Sequence, residues 1–203
     1  MSLNIVVFSK APVPGEAKRR LIPALGAAGA AHLSARMIRR VVREAVASDI
    51  GTVNLWCAGG LEHPVFEELS QIHGIERYPQ AGEDLGERMR RALEAAVGGA
   101  GGSAVIVGTD CPDLTSSVFK EVAGLLRTHD AVLGPALDGG YVLLAVRSVN
   151  ASLFENIPWS TGEVATLTRN AMRRLGWHWA EVGPFPDIDR PGDLAHLPAE
   201  FRG

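Results

Sequence analysis

The chain has 203 residues, 46% hydrophobic and 21% charged, with a formal net charge of −3. That length suits one domain over 1–203 with a sizeable core, and the charge excludes binding to nucleic acid driven by a basic surface. No apolar run is expected to reach the roughly 18–20 residues of a membrane span.

The short apolar stretch near the start has no basic segment before it, which argues against a secretory signal. Cys57 and Cys111 have neither zinc nor C-x-x-C spacing, so both read as packed thiols in a reduced, cytoplasmic setting.

Residues 3–8 are a β-rich apolar run and predict a central strand. The next stretch, Ser9 to Leu21, holds Pro12, Pro14 and Gly15 together with Lys10, Lys18, Arg19 and Arg20. Arginine grips a phosphate bidentately and lysine acts as a point charge, while Gly15 lets backbone approach a ligand. The pattern is neither Walker A nor G-x-G-x-x-G, so the P-loop and dinucleotide readings are set aside. Four cations held between stiff turns in an acidic chain favour anion binding over a solvated basic loop.

Residues 27–46 read as an amphipathic helix. Leu33, Met37, Val41 and Ala45 lie on one face, and Arg36, Arg39, Arg40 and Arg43 lie on another that is expected to meet solvent. A strand over 52–57, a helix over 64–69 and a strand over 74–79 follow. Gln80 to Met89 opens a helix running to 97, with Leu85, Met89 and Leu93 on its apolar face. Gly82 and Gly86 are costly at a helix entrance and suggest close approach to something flat or to another element. Residues 98–102 form a glycine-rich connector.

Residues 104–107 are continuously apolar, as in a strand buried on both faces. The run stops at Gly108-Thr109 and then presents Asp110, with Asp113 three residues on. Ligands in open α/β sheets bind beyond the carboxyl ends of strands, so Asp110 is placed to hold a divalent cation against an anion. Thr115 or Ser116 suits the capping of the following helix, 116–127.

Strands over 131–135 and 142–146 flank a turn containing Asp138, which predicts an antiparallel element on a parallel sheet. Asp138 is either a turn residue or a carboxylate displayed at the cleft. A helix over 163–175 and a strand over 177–182 lead to Asp187 and Asp189. Residues two apart in extended chain point the same way, so both could reach one cation, whereas Asp193 reads as a cap.

The chain resembles a known family through several motifs. Lys10-Ala11-Pro12-Val13-Pro14-Gly15 with Lys18 and Arg20-Leu21 matches K-A-P-x-P-G-x-x-K-T-R-L. Gly82 to Met89 matches G-x-D-L-G-x-R-M, and Gly108 to Leu114 matches G-[ST]-D-C-P-x-L. Asp138-Gly139-Gly140-Tyr141, Trp159-Ser160-Thr161 and Asp187-x-Asp189 with Asp193-Leu194 extend the match. These motifs are similar to those of bacterial glycosyltransferase-like proteins of the arsenosugar-biosynthesis type. That family lies in the nucleotide-diphospho-sugar transferase (GT-A) superfamily and is distantly similar to phospholactate guanylyltransferases. Arg19 stands where the family usually has Thr, adding charge to the phosphate loop.

The resemblance implies an α/β fold of three layers, α/β/α, with a mostly parallel mixed, Rossmann-like sheet. It implies a nucleotide or nucleotide-sugar donor held by Ser9, Lys10, Ala11, Gly15, Lys18, Arg20, Gly82, Leu85, Gly86, Arg88 and Asp110. A small-molecule acceptor would meet Asp138, Gly139, Gly140, Tyr141, Trp159, Ser160 and Thr161. Asp110, Asp187 and Asp189 would bind metal, and oxygen-only ligation favours Mg²⁺ or Mn²⁺.

The expected reaction is metal-dependent sugar transfer to a hydroxyl acceptor, with Lys18 and Asp138 as catalytic residues. The alternatives are nucleotidyl transfer to a phosphorylated small molecule, using the same loop and metal, and a non-catalytic nucleotide-binding regulator.

Overall fold

The computed structural model describes residues 3–98 and 102–201, so most of the predicted glycine-rich connector (residues 99–101) lies outside the described residues. In chain order come β1 (Leu3–Lys10), α1 (Ile22–Ala47), β2 (Val53–Ala58), α2 (Pro64–His73), β3 (Glu76–Pro79) and α3 (Leu85–Val97). After them follow β4 (Ser103–Gly108), α4 (Ser116–Leu125), β5 (Ala131–Pro135), β6 (Tyr141–Val146), α5 (Val164–Arg174) and β7 (Trp179–Glu181).

The strands form one seven-stranded sheet in the order β3-β2-β1-β4-β6-β5-β7. All neighbours pair in parallel except β6, which runs antiparallel to both β4 and β5. Alternation along each strand divides the side chains between two faces. Ile5, Val7, Leu55 and Val105 pack under α1, α2 and α4, with Phe66 and Phe119 fully buried among them. Val6, Ile106, Leu133 and Leu144 pack under α3 and α5, where Met89, Leu93 and Met172 meet them. A smaller third cluster joins Leu21, Leu33 and Met37 to Ile188, Leu197 and Phe201, fastening the C-terminal segment across α1.

Several boundaries differ from the sequence reading for local reasons. Helical chain begins at Ile22 rather than residue 27, with a break at Gly26 (φ 71°, ψ 165°) that a residue without Cβ accommodates. Gly74 is not in β3 but closes α2 in the left-handed region. Neither Thr115 nor Ser116 caps α4 with its side chain, because Glu44 of α1 accepts the Ser116 N–H at 3.0 Å instead.

Contrary to the expectation that no segment is long enough, Arg19–Ala47 is long and apolar enough, by length and composition, to cross a membrane. In the fold Leu33, Met37, Val41 and Ala45 are buried in the protein core.

The arginine face of α1 is not simply solvated either. Arg39 forms a two-bond pair with Glu68 (2.9 and 2.6 Å). Arg40 donates to the Pro112 carbonyl at 2.7 Å and pairs with Glu200, and Arg36 sits over the Phe201 ring. The two thiols are buried and unbridged, and burial pushes each up to about 12, far from the reactive range at neutral pH.

Candidate functional site

Because six strands run parallel, the residues that follow them converge on one edge. Lys10 ends β1, Asp110 follows β4, the Asp138 turn follows β5, and Asp187 lies beyond β7. Tyr141 opens β6 at the same edge, since that strand runs the other way. A cleft of about 490 Å³ lies there, lined among others by Phe8, Lys18, Leu85, Thr109, Asp110 and Asp189.

Ion pairs organise its floor. Lys18 adopts a left-handed backbone conformation (φ 47°) that turns its side chain inward, leaving it only 4% exposed. Its Nζ stands 2.8 Å from Asp110 Oδ1 and also donates to the Ile188 carbonyl. The Ile188 N–H in turn donates to the Asp110 carbonyl at 2.9 Å, locking the β4 loop to the C-terminal segment. Arg20 pairs with Asp189. Asp193 accepts from the Asp189 and Arg190 N–H groups at 3.0 and 2.6 Å, as its capping role predicts.

Asp187 is held partly buried, and its carboxyl is pushed up to about 7. Burial is the main cause, followed by the charge of Asp110, with Asp138 and Asp189 adding to it and Lys18 opposing. Among the described residues no three acidic, His or Cys side chains stand together as a ready metal cage. The donor set nevertheless fits a hard cation, because crowded carboxylates with only oxygen donors are what Mg²⁺ or Mn²⁺ takes. Two of the three carboxylates already carry an ion-pair partner, Asp110 with Lys18 and Asp189 with Arg20.

The Asp138 turn is built tightly. Asp138 Oδ1 accepts the Gly140 N–H at 2.9 Å, so the turn role is real, and the exposed carboxylate keeps its second oxygen free. Gly139 has φ 91°, its carbonyl accepts the Ala165 N–H at 2.9 Å, and a Cβ there would lie 2.1 Å from the Gly162 carbonyl oxygen. The turn that carries Asp138 is thereby seated on the start of α5. Tyr141 meets Trp159 edge-on, with ring centres 6.4 Å apart, and Ser160 and Thr161 follow in the exposed bend before α5.

Gly82, Gly86 and Arg88, expected at the nucleotide, each meet a neighbour within this chain. A Cβ at Gly86 would lie 2.5 Å from Trp159 Nε1, so the flat object against that glycine is this chain's own indole. Gly82 precedes the helix at φ 147°, and Arg88 donates to its carbonyl at 2.9 Å, an internal brace. Leu85, 40% exposed, remains open to the cleft. Ser9 is buried with its hydroxyl 3.4 Å from that of Thr109, and Ala11 is buried as well. Lys10 reaches Glu16 at 3.9 Å, and Gly15 takes φ 86° at the loop's bend.

Two residues near the cleft lie outside the expected site set. Gln80 donates to the Ser9 and Trp56 carbonyls, both at 3.0 Å, tying the ends of β1 and β2. Its position just beyond β3, at the carboxyl edge, is the signal that could have found it. Met89 was read as core, and although buried it also lines the cleft beside Tyr141.

Residues 41–161 match the family described as "Uncharacterized protein conserved in bacteria (DUF2064)". No curated protein matches the sequence. A candidate nucleotide-diphospho-sugar transferase from Desulfovibrio desulfuricans G20 superimposes with a TM-score of 0.88 at 29% identity, covering 100% of this chain and 89% of that one. A 4-diphosphocytidyl-2C-methyl-D-erythritol synthase from Anaerococcus prevotii DSM 20548 gives 0.62 at 9% identity, covering 100% and 99%. Glucosyl-3-phosphoglycerate synthase from Mycobacterium tuberculosis, solved with Mn²⁺, UDP and glucosyl-3-phosphoglycerate, gives 0.54 at 14%, covering 96% and 75%. The fold is thus the α/β fold of nucleotide-diphospho-sugar transferase structures.

Proposed function

The chain belongs to the DUF2064 family of proteins conserved in bacteria, and from that footing we propose that it is a metal-dependent glycosyltransferase. It takes a nucleotide-diphosphate sugar and delivers the sugar to the hydroxyl of a small acceptor, acting as one domain in a reduced, cytoplasmic setting. The observation that carries this reading is the Lys18–Asp110 pair beside Asp187, at the carboxyl edge of a sheet shared with nucleotide-diphospho-sugar transferases. The motif resemblance to arsenosugar-biosynthesis glycosyltransferases supports sugar transfer in particular.

Each residue has work to do in that reaction. Asp110, Asp187 and Asp189 would hold the cation, which when bound supplies Lewis-acid neutralisation of the departing diphosphate. Lys18 and Arg20 direct positive charge at the phosphates, where negative charge grows as the sugar leaves. The exposed side of Leu85 offers an apolar surface at the mouth of the cleft. The free oxygen of Asp138 accepts the proton from the acceptor hydroxyl in a transfer that inverts the anomeric centre. Asp138→Asn is expected to cut turnover on the order of 10²-fold or more while donor affinity stays within about twofold, read from initial rates beside binding titrations. Collapsed donor affinity with unchanged turnover at saturation would make Asp138 a binding residue instead.

A second reading, nucleotidyl transfer to a phosphorylated acceptor, is favoured by the cytidyl-named neighbour of the same fold. Calorimetric titration with UDP, GDP and CDP, their sugar conjugates, and CTP and GTP, each with and without Mn²⁺, tests both. Metal-dependent binding of one diphosphate and its sugar conjugate is the expected result, whereas binding of a triphosphate alone selects nucleotidyl transfer. With Asp187 protonated up to about pH 7, cation binding must expel a proton below that pH. Mn²⁺ affinity should therefore fall about tenfold per unit below pH 7 and level off above it.

A further inference from the structure

The loop after β1 carries four cations whose situations differ. Lys10 is near Glu16, Lys18 is on Asp110, and Arg20 is on Asp189. Arg19 is exposed and lines the cleft, and its guanidinium makes no hydrogen bond or ion pair with any described residue. A guanidinium in that state presents its full fork to an incoming phosphate with nothing to displace.

Lys18 is in the opposite condition. Its ammonium, 4% exposed, already occupies one oxygen of the carboxylate that a divalent cation would use. A cation arriving alone must push that ammonium away and leave it without a counter-charge in a nearly closed position, which is costly. A phosphate arriving alone can recruit Lys18 or Arg20 only by stranding Asp110 or Asp189. When both arrive together the pairs exchange partners: Lys18 and Arg20 turn to the phosphate, Asp110 and Asp189 turn to the cation, and no charge is stranded.

The geometry points to a division of labour in which Arg19 takes the phosphate of a nucleoside diphosphate directly, while the Lys18–Asp110 and Arg20–Asp189 pairs lower the affinity for a lone cation or a lone nucleotide and open when both bind. This rests on the reading of the cleft as a cation and nucleoside-diphosphate site. Its consequence is reciprocal coupling: each ligand raises the affinity of the other by the same factor.

The test is titration of the whole chain with Mn²⁺ alone, with UDP, CDP and GDP alone, and with each ligand at saturating concentrations of the other. Bound Mn²⁺ is counted independently by its spin-resonance signal. The parent should show at least tenfold coupling with the diphosphate that binds. Lys18→Met should bind Mn²⁺ alone at least fivefold more tightly and lose most of the coupling, and Lys18→Gln provides the same comparison if the Met variant does not fold. Arg19→Gln should weaken the diphosphate about tenfold, with and without metal, and leave the affinity for Mn²⁺ alone unchanged.

Additive binding in the parent, or Lys18 variants that bind Mn²⁺ no more tightly, overturns the partner exchange while leaving the proposed function standing. Unchanged diphosphate affinity in Arg19→Gln overturns the capture role. A parent that binds neither Mn²⁺ nor any of the nucleotides overturns both readings.

Discussion

Asp110→Ala is expected to abolish the metal-dependent part of nucleotide binding and to lower turnover on the order of 10²–10³-fold. The substitution removes the carboxylate at the end of β4, where the parallel edge, the loop after β1 and the C-terminal segment meet. It has a second effect that a sequence-level view misses. Lys18, 4% exposed, would keep only the Ile188 carbonyl as a partner, and an under-satisfied buried ammonium costs about 1–3 kcal/mol.

Asp110→Asn separates the two effects. Its amide oxygen still accepts from Lys18, so the melting temperature should stay near that of the parent, while the loss of charge still removes the cation site. Equal nucleotide affinity in parent and both variants, with and without Mn²⁺, would sink the metal assignment. A stability loss in Ala but not in Asn is the signature of the Lys18 pair.

Gly139→Ala is the second large effect. The added methyl would meet a backbone oxygen, that of Gly162 at 2.1 Å, in a residue already at φ 91°. Neither the overlap nor the strain can be relieved by turning a side chain. Left-handed strain costs about 1–3 kcal/mol and overpacking a similar amount. The expected loss is about 2–6 kcal/mol, or roughly 4–24 °C in melting temperature for a chain of this size.

The neighbouring Gly140→Ala is the control. Its closest contact would be Asp138 Oδ1 at 3.2 Å, and its backbone is not left-handed, so it should melt near the parent. Equal melting of parent and Gly139→Ala would mean that the turn is not seated on α5.

The sequence made the strands legible because a buried run such as Val105-Ile106-Val107 has no other stable use. It also singled out Lys18 and Asp110 as candidates for one site. It could not show that they touch, because the contact joins residues 92 positions apart and depends on the left-handed turn at Lys18. The same limit explains Gly86, whose partner Trp159 was read only as an acceptor contact. It explains the α1 arginines as well: their spacing marks a polar face, but the groups that meet them, Pro112 O and Glu200, come from loops that pack there. The capping group at α4 was hidden for the same reason, since it comes from another element, Glu44 of α1.

The strap from Phe185 to Phe201 has one further consequence, for biosynthesis. It leaves the ribosome after every strand of the sheet, and its anchors Ile188, Leu197 and Phe201 settle on Leu21, Leu33 and Met37 near the other end of the chain. A nascent polypeptide emerging at about 5–20 residues per second can therefore assemble β1 through β6 while the cleft still lacks Asp187 and Asp189. Translation builds the scaffold first, and the cleft is complete only once the strap has emerged.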